Sequence, residues 1–205
     1  MKDTFFITGI STEVGKTVVA AIVTEALQAD YWKPVQAGDL DRTDTDKIRD
    51  WVYLKKSAFH PPAYLLNTPM SPHAAAEIDR VAISLKNIKR PVTSNTLVIE
   101  GAGGLMVPLN KSDMIIDLIR PTDKVIVVSR HYLGSINHTL LTIEALKARK
   151  LNIFGIVFVG DELFSTESVI KEISQVPVIG RMDMEPYIDH HVIKEYAEAF
   201  RKKLI

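Results

Sequence analysis

The sequence predicts an α/β fold, a mostly parallel, twisted sheet with helices on both faces. Three observations predict it. Short apolar runs such as residues 124–129 (KVIVVS) have the composition of buried strands. Longer segments carry apolar residues at helical spacing. The two kinds alternate repeatedly, which requires crossover connections between parallel strands. In order, residues 5–8 (FFIT) read as a buried strand, and 16–29 as a helix with Val18, Val19, Ile22, Val23 and Leu27 near helical spacing. Residues 31–36 read as a second strand and 44–53 as a helix. The proline-rich stretch 57–72 reads as a loop, followed by a short helix over 73–78. Residues 96–100 (TLVIE) form a strand that ends in the glycine turn GAGG. Strand 124–129, helix 136–148, strand 153–158, helix 165–174, strand 177–179 and a closing helix over 189–203 complete the alternation. With no internal repeat, low-complexity segment or linker, residues 1–205 are expected to form one domain.

Composition excludes several function classes. The 25 Lys and Arg balance the 25 Asp and Glu, so the basic excess of a nucleic-acid binder is missing. There is no cysteine, which rules out disulfides, thiolate catalysis and cysteine metal sites. No signal-peptide pattern opens the chain, and no apolar run approaches the ~20 residues of a membrane helix. The expectation is a soluble cytoplasmic protein with neither nucleic-acid nor membrane partner.

The stretch Gly9-Ile-Ser-Thr-Glu-Val-Gly15-Lys16-Thr17 matches G-x-x-x-x-G-K-[ST], between a predicted strand and a predicted helix. The pattern has a mechanism. Glycines let backbone N–H groups curl around a phosphate, and the following helix aims its positive end at the same anion. Lys16 reaches the β- and γ-phosphates, and the Thr17 hydroxyl ligates Mg²⁺. The fold expected is therefore of the P-loop NTPase type. That fold serves kinases, switches and ligases alike, so other residues must decide the chemistry.

Two further stretches bear on it. Glu100 ends a strand, at the edge of the sheet where ligands of open α/β sheets bind, and a carboxylate there can hold Mg²⁺. Lys33 ends the second strand near the same edge and leads into a loop with Asp39, Asp41, Asp44 and Asp46. Most of these acids read as helix caps or solvated groups, with one available to the metal.

Taken together, TGISTEVGKT, KPVQAG, SPHAAA from Ser71, VIEGAGGLMVPL and LGSINHTLLT from Leu133 resemble the dethiobiotin synthetases, in that family's order and over nearly the whole chain. The resemblance implies a reaction. One amine of 7,8-diaminononanoate and CO₂ form a carbamate, which attacks the γ-phosphate of ATP. The second amine displaces phosphate and closes the ureido ring. It also implies residue roles. Lys33 matches the catalytic lysine and acts with Lys16. Thr17, Asp44 and Glu100 hold Mg²⁺, with Asp46 the alternative to Asp44. Glu13, Val14, Gly15, Lys16, Thr17 and Val18 bind ATP, together with Asp44, Glu100, Gly101, Ala102 and Gly103. Thr12, Glu13, Ala37 and Ser71 line the diamine pocket. Gly134, Ser135, Ile136 and Asn137 take the substrate's carboxylate tail from the other subunit of a homodimer, with Ser135 as helix N-cap. His138, His190 and His191 receive no catalytic role.

The chain departs from the family pattern at three positions. Ala37 stands where serine is frequent, Val159 where an asparagine reads the adenine edge, and Asp183 where proline is expected. The last two fall in the base-binding region and imply relaxed discrimination between ATP and other triphosphates. Rival classes have weaker support. Residues 110–113 (NKSD) imitate a guanine-reading motif but lack an upstream D-x-x-G. Ile10-Ser11-Thr12 lacks the early second lysine of partition ATPases, and no glutaminase domain accompanies the P-loop as in cobyrinate amidoligases. A small-molecule kinase or another ligase is the remaining alternative.

Overall fold

The computed structural model describes residues 2–54 and 56–205. Its centre is a seven-stranded sheet in the order β4-β2-β6-β1-β7-β8-β9, and every pair is parallel. The strands are β1 (Thr4–Gly9), β2 (Asp30–Trp32), β4 (Phe59–His60), β6 (Leu97–Gly104), β7 (Lys124–Arg130), β8 (Ile153–Val159) and β9 (Val178–Met182). A separate parallel pair joins β3 (Val35–Ala37) to β5 (Tyr64–Leu66). The helices are α1 (Lys16–Leu27), α2 (Asp44–Trp51), α3 (Pro72–Ile78), α4 (Ser135–Ala148), α5 (Phe164–Ser174) and α6 (His190–Leu204). Strand order runs both ways from β1, and right-handed crossovers then put α1 and the α4/α5 pair on opposite faces. Packing agrees: α1 lies against α2 and α6, while α4 lies against α5. Among the described residues no helix is long and apolar enough to cross a membrane.

Burial follows from this arrangement. The central strands are covered on both faces, and Phe5, Phe6, Ile7, Val125 to Val128 and Ile156 to Phe158 are all buried. This is why they read as continuous apolar runs rather than alternating ones.

The structure corrects several expectations. The stretch 31–36 is two strands rather than one. The chain leaves the main sheet at Lys33 and Pro34, and β3 pairs with β5 instead. Proline has no N–H for the ladder, so the main sheet cannot continue through it. The Pro34 carbonyl instead accepts from the Ala63 and Tyr64 amides, at 2.8 and 3.2 Å. Stretch 57–72 is not wholly loop, since it contains β4 and β5. Two- and three-residue strands are too short to show any periodicity. Nor does β6 end at Glu100. It continues through the glycines to Gly104, which pairs with Gly9 after a register shift. This second glycine run thus lies beside the P-loop. Ser135 is not an N-cap, because Gly134 (φ 101°) holds that place without a side-chain bond and Ser135 is the first helical residue.

Candidate active site

The P-loop follows β1 directly. Gly15 is the N-cap of α1 in the left-handed conformation (φ 93°), a backbone state that costs a side-chain-bearing residue. This turn places Lys16 and Thr17 at the start of the helix. The Lys16 ammonium folds back and donates to the Ser11 carbonyl at 2.8 Å, closing a ring over the loop. Burial lowers its pKa to about 8, against the attraction of Glu100.

Glu100 is fully enclosed and organises the site. Its Oε1 accepts from Thr17 Oγ1 at 2.9 Å and from Lys33 Nζ at 2.8 Å, while its Oε2 accepts from the Tyr31 hydroxyl at 2.7 Å. Lys33 Nζ also lies 2.6 Å from Asp44 Oδ2. Burial alone would lower the Lys33 pKa, but the two carboxylates outweigh it and the value is raised. The lysine is thus held as an ammonium. Asp44 is shifted down: burial opposes ionisation, and Lys33 followed by Lys47 overcomes it. Lys47 continues the chain of charges, 3.2 Å from Asp44 and 3.1 Å from Asp39. The Tyr31 pKa is pushed well above the ordinary tyrosine value by burial and by Glu100, so its hydroxyl stays a donor.

Asp44 and Asp46 have different environments. Asp46 is committed to the capping box of α2. It accepts from the Thr43 backbone and hydroxyl and pairs with Arg49, whereas Asp44 faces Lys33.

Lys16, Thr17, Lys33, Asp39, Asp44, Lys47 and Glu100 line a cleft of about 760 Å³. Of the residues expected from sequence, Thr12, Glu13, Gly15, Lys16, Thr17, Val18, Lys33, Ala37, Asp44, Ser71, Glu100, Ala102 and Gly103 face it. Val14 is buried behind the loop, and neither it nor Gly101 lines the cleft. At Gly103 (φ 65°) a Cβ would stand 2.8 Å from a Val107 methyl, so glycine is required for this wall of the cleft. Gly134, Ser135, Ile136 and Asn137 are not brought to the cleft of the same chain. Their helix borders a second hollow of about 330 Å³, which shares Thr12 and Val107 with the first. Of its lining residues Met106 and Leu141 are exposed. Leu133, before the helix, and Ile136, in its first turn, are also exposed, Leu133 completely.

Sequence reasoning missed Tyr31, Lys47 and Trp51. The signal for Tyr31 was present. It stands two residues before Lys33, and alternation along an extended chain puts both side chains on one side. The pairing of Trp32 with Ile99 then brings that side to Glu100. At the other rim Val159 is buried, its methyl groups 3.4 Å from where a Gly15 Cβ would stand. Asp183 follows β9, and its amide donates to the Tyr196 hydroxyl at 3.1 Å. Val159 offers no polar atom to a base edge.

Comparison with known proteins bears on family and fold. A family described as an AAA domain matches residues 3–192. The chain is 63% identical over 204 residues to a protein of Christiangramia forsetii named ATP-dependent dethiobiotin synthetase BioD, covering 100% of this chain and 99% of that one. A protein of the same name from Cytophaga hutchinsonii is 50% identical over 195 residues, 94% of each chain. Among solved structures, the septum site-determining protein MinD of Pyrococcus horikoshii, complexed with Mg-ADP, superposes with a TM-score of 0.57 at 15% identity. That match covers 100% of this chain and 95% of the other, and at such identity it supports the fold alone.

Proposed function

The chain belongs to the ATP-dependent dethiobiotin synthetases, ligases of biotin biosynthesis, and we propose that it closes the ureido ring through a carbamate and a carbamic-phosphoric anhydride. The observation that carries this reading is the Lys33 ammonium, buried between Asp44 and Glu100 and facing the same cleft as the P-loop lysine. Phosphoryl transfer needs aligned reactants and positive charge more than covalent help. Lys16 sits where it can leave the Ser11 carbonyl and follow the γ-phosphate. Lys33 is a compact cation suited to hold the carbamate oxygens and the transferring phosphoryl group. Glu13 on the loop, with Thr12, Ala37 and Ser71, lines the part of the cleft assigned to the diamine. The Glu13 carboxylate is suited to an ammonium group there.

The donor set fits Mg²⁺. Thr17, Asp44 and Glu100 converge as hard oxygen donors, and two of them already share one cation, the Lys33 ammonium. Among the described residues no cluster of three or more His, Cys, Asp or Glu is placed to hold a metal. The remaining ligands would therefore be phosphate oxygens and water, the usual manner for this ion. When bound, Mg²⁺ supplies charge neutralisation across the β- and γ-phosphates.

We further propose a cytoplasmic homodimer in which α4 and its preceding loop complete the partner's site. The support is the exposed Met106 and Leu141 beside the P-loop residues Ser11 and Thr12, together with the exposed Leu133 and Ile136 at the start of α4. Asn137 and the amide groups at the start of α4 are then the groups offered to the substrate's carboxylate tail.

The test is a product assay with 7,8-diaminononanoate, bicarbonate, ATP and Mg²⁺. Dethiobiotin and phosphate should appear in equal amounts. Phosphate or a phosphorylated diamine without dethiobiotin would favour a kinase instead. Repeating the assay with GTP tests base selection. With Val159 in place of an amide, kcat/KM for GTP should lie within about tenfold of that for ATP. A strong ATP preference would contradict relaxed selection.

A further inference from the structure

Tyr31 has no role in the chemistry above, yet it is completely buried and its hydroxyl meets Glu100. The two Glu100 oxygens have divided duties. Oε1 serves Thr17 and Lys33, while among the described residues the Tyr31 hydroxyl is the donor to Oε2. The terminal torsion of a glutamate is broad, so nothing intrinsic to the side chain decides which way the carboxylate plane faces. Here the plane is pinned from both sides. β2 carries Tyr31 and leads into Lys33, and it pairs with β6 through Tyr31 and Val98. The pin therefore sits on the strand that leads directly into the reactive lysine, two residues before it.

We propose that Tyr31 is a positioning residue, whose hydroxyl fixes the rotation of the Glu100 carboxylate so that one oxygen faces Thr17, Lys33 and the metal position together. This rests on the metal site assigned above. Residues that orient a ligating carboxylate tune metal affinity from one bond away. Without the hydroxyl, Oε2 is a buried acceptor without a donor, and the carboxylate gains by rotating away from its ligating pose. The ring has a separate, structural task, packing 6.2 Å from Phe59 between centroids.

Tyr31→Phe separates the two tasks, since it keeps the ring and removes only the oxygen. Mn²⁺ binding in the presence of ADP, followed by electron paramagnetic resonance, should weaken about tenfold. The KM for Mg²⁺ should rise by a similar factor. At saturating Mg²⁺, kcat should fall by less than about threefold, because Lys33 keeps its contact with Asp44. The thermal midpoint serves as the control for packing. Unchanged Mn²⁺ affinity and unchanged Mg²⁺ dependence would overturn the proposal. So would a uniform loss of stability and kcat with no change in metal affinity. Mn²⁺ binding does not involve the diamine, so this result is independent of whether the ring-closing assay succeeds.

Discussion

Lys33→Met should lower the rate of dethiobiotin formation by about 10³-fold or more while nucleotide still binds. The expectation follows from what the lysine touches. Its ammonium is the positive charge shared by Asp44 and Glu100, and it faces the cleft opposite the P-loop. Methionine keeps most of the stem volume and removes the charge, so the loss is electrostatic rather than steric. The phosphate cradle proposed for this site, the loop from Gly9 to Gly15 with Lys16, does not include Lys33. ADP affinity should therefore stay within a few-fold of wild type, and single-turnover quench experiments should locate the defect in phosphoryl transfer. A variant within tenfold of the wild-type rate would remove Lys33 from the chemistry.

The second large effect is expected at Glu100. Glu100→Gln keeps the shape but turns one acceptor into a donor, facing either the Tyr31 hydroxyl or the Lys33 and Thr17 pair. In either rotamer at least one buried donor loses its acceptor. Lys33 is also left with Asp44 as its remaining carboxylate. Breaking a buried pair from one side costs on the order of 3 kcal/mol, so the thermal midpoint should drop by several degrees. Activity should fall by about 10³-fold in kcat/KM, since metal and lysine are misplaced together. Both variants break the buried pair and should lose stability, so Mg²⁺ dependence distinguishes them: metal binding should weaken in Glu100→Gln and persist in Lys33→Met, which keeps both carboxylates. Glu100→Gln with wild-type stability and metal dependence would mean that the carboxylate does not organise the site.

The parts of this account that sequence made legible are local ones. The P-loop is nine consecutive residues whose types follow from phosphate binding, and the structure builds it between β1 and α1 as expected. Strand and helix alternation was equally plain, because strands covered on both faces are continuous apolar runs. What escaped were features that depend on distant partners. Lys33 and Glu100 are 67 residues apart. Both were legible as residues of the ligand edge, but their direct contact was not, because adjacency of β2 and β6 is what joins them. The short strands β3, β4 and β5 exist only because another short strand lies beside each of them. GAGG reads as a turn by composition, yet with no side chain larger than the Ala102 methyl it can continue as strand close to the P-loop. Between Asp44 and Asp46 spacing alone was ambiguous, and the capping box on α2 claims Asp46.

The most direct test of the central claim is the fate of an oxygen atom. If a carbamate attacks the γ-phosphate, one oxygen of CO₂ bridges to phosphorus in the anhydride and leaves with phosphate when the ring closes. The other stays as the ureido carbonyl. A brief reaction with ¹⁸O-labelled CO₂ should therefore place one label in inorganic phosphate and one in dethiobiotin. Dethiobiotin carrying label while phosphate carries none would contradict the account, because phosphate would then have been cleaved without passing through the carbamate.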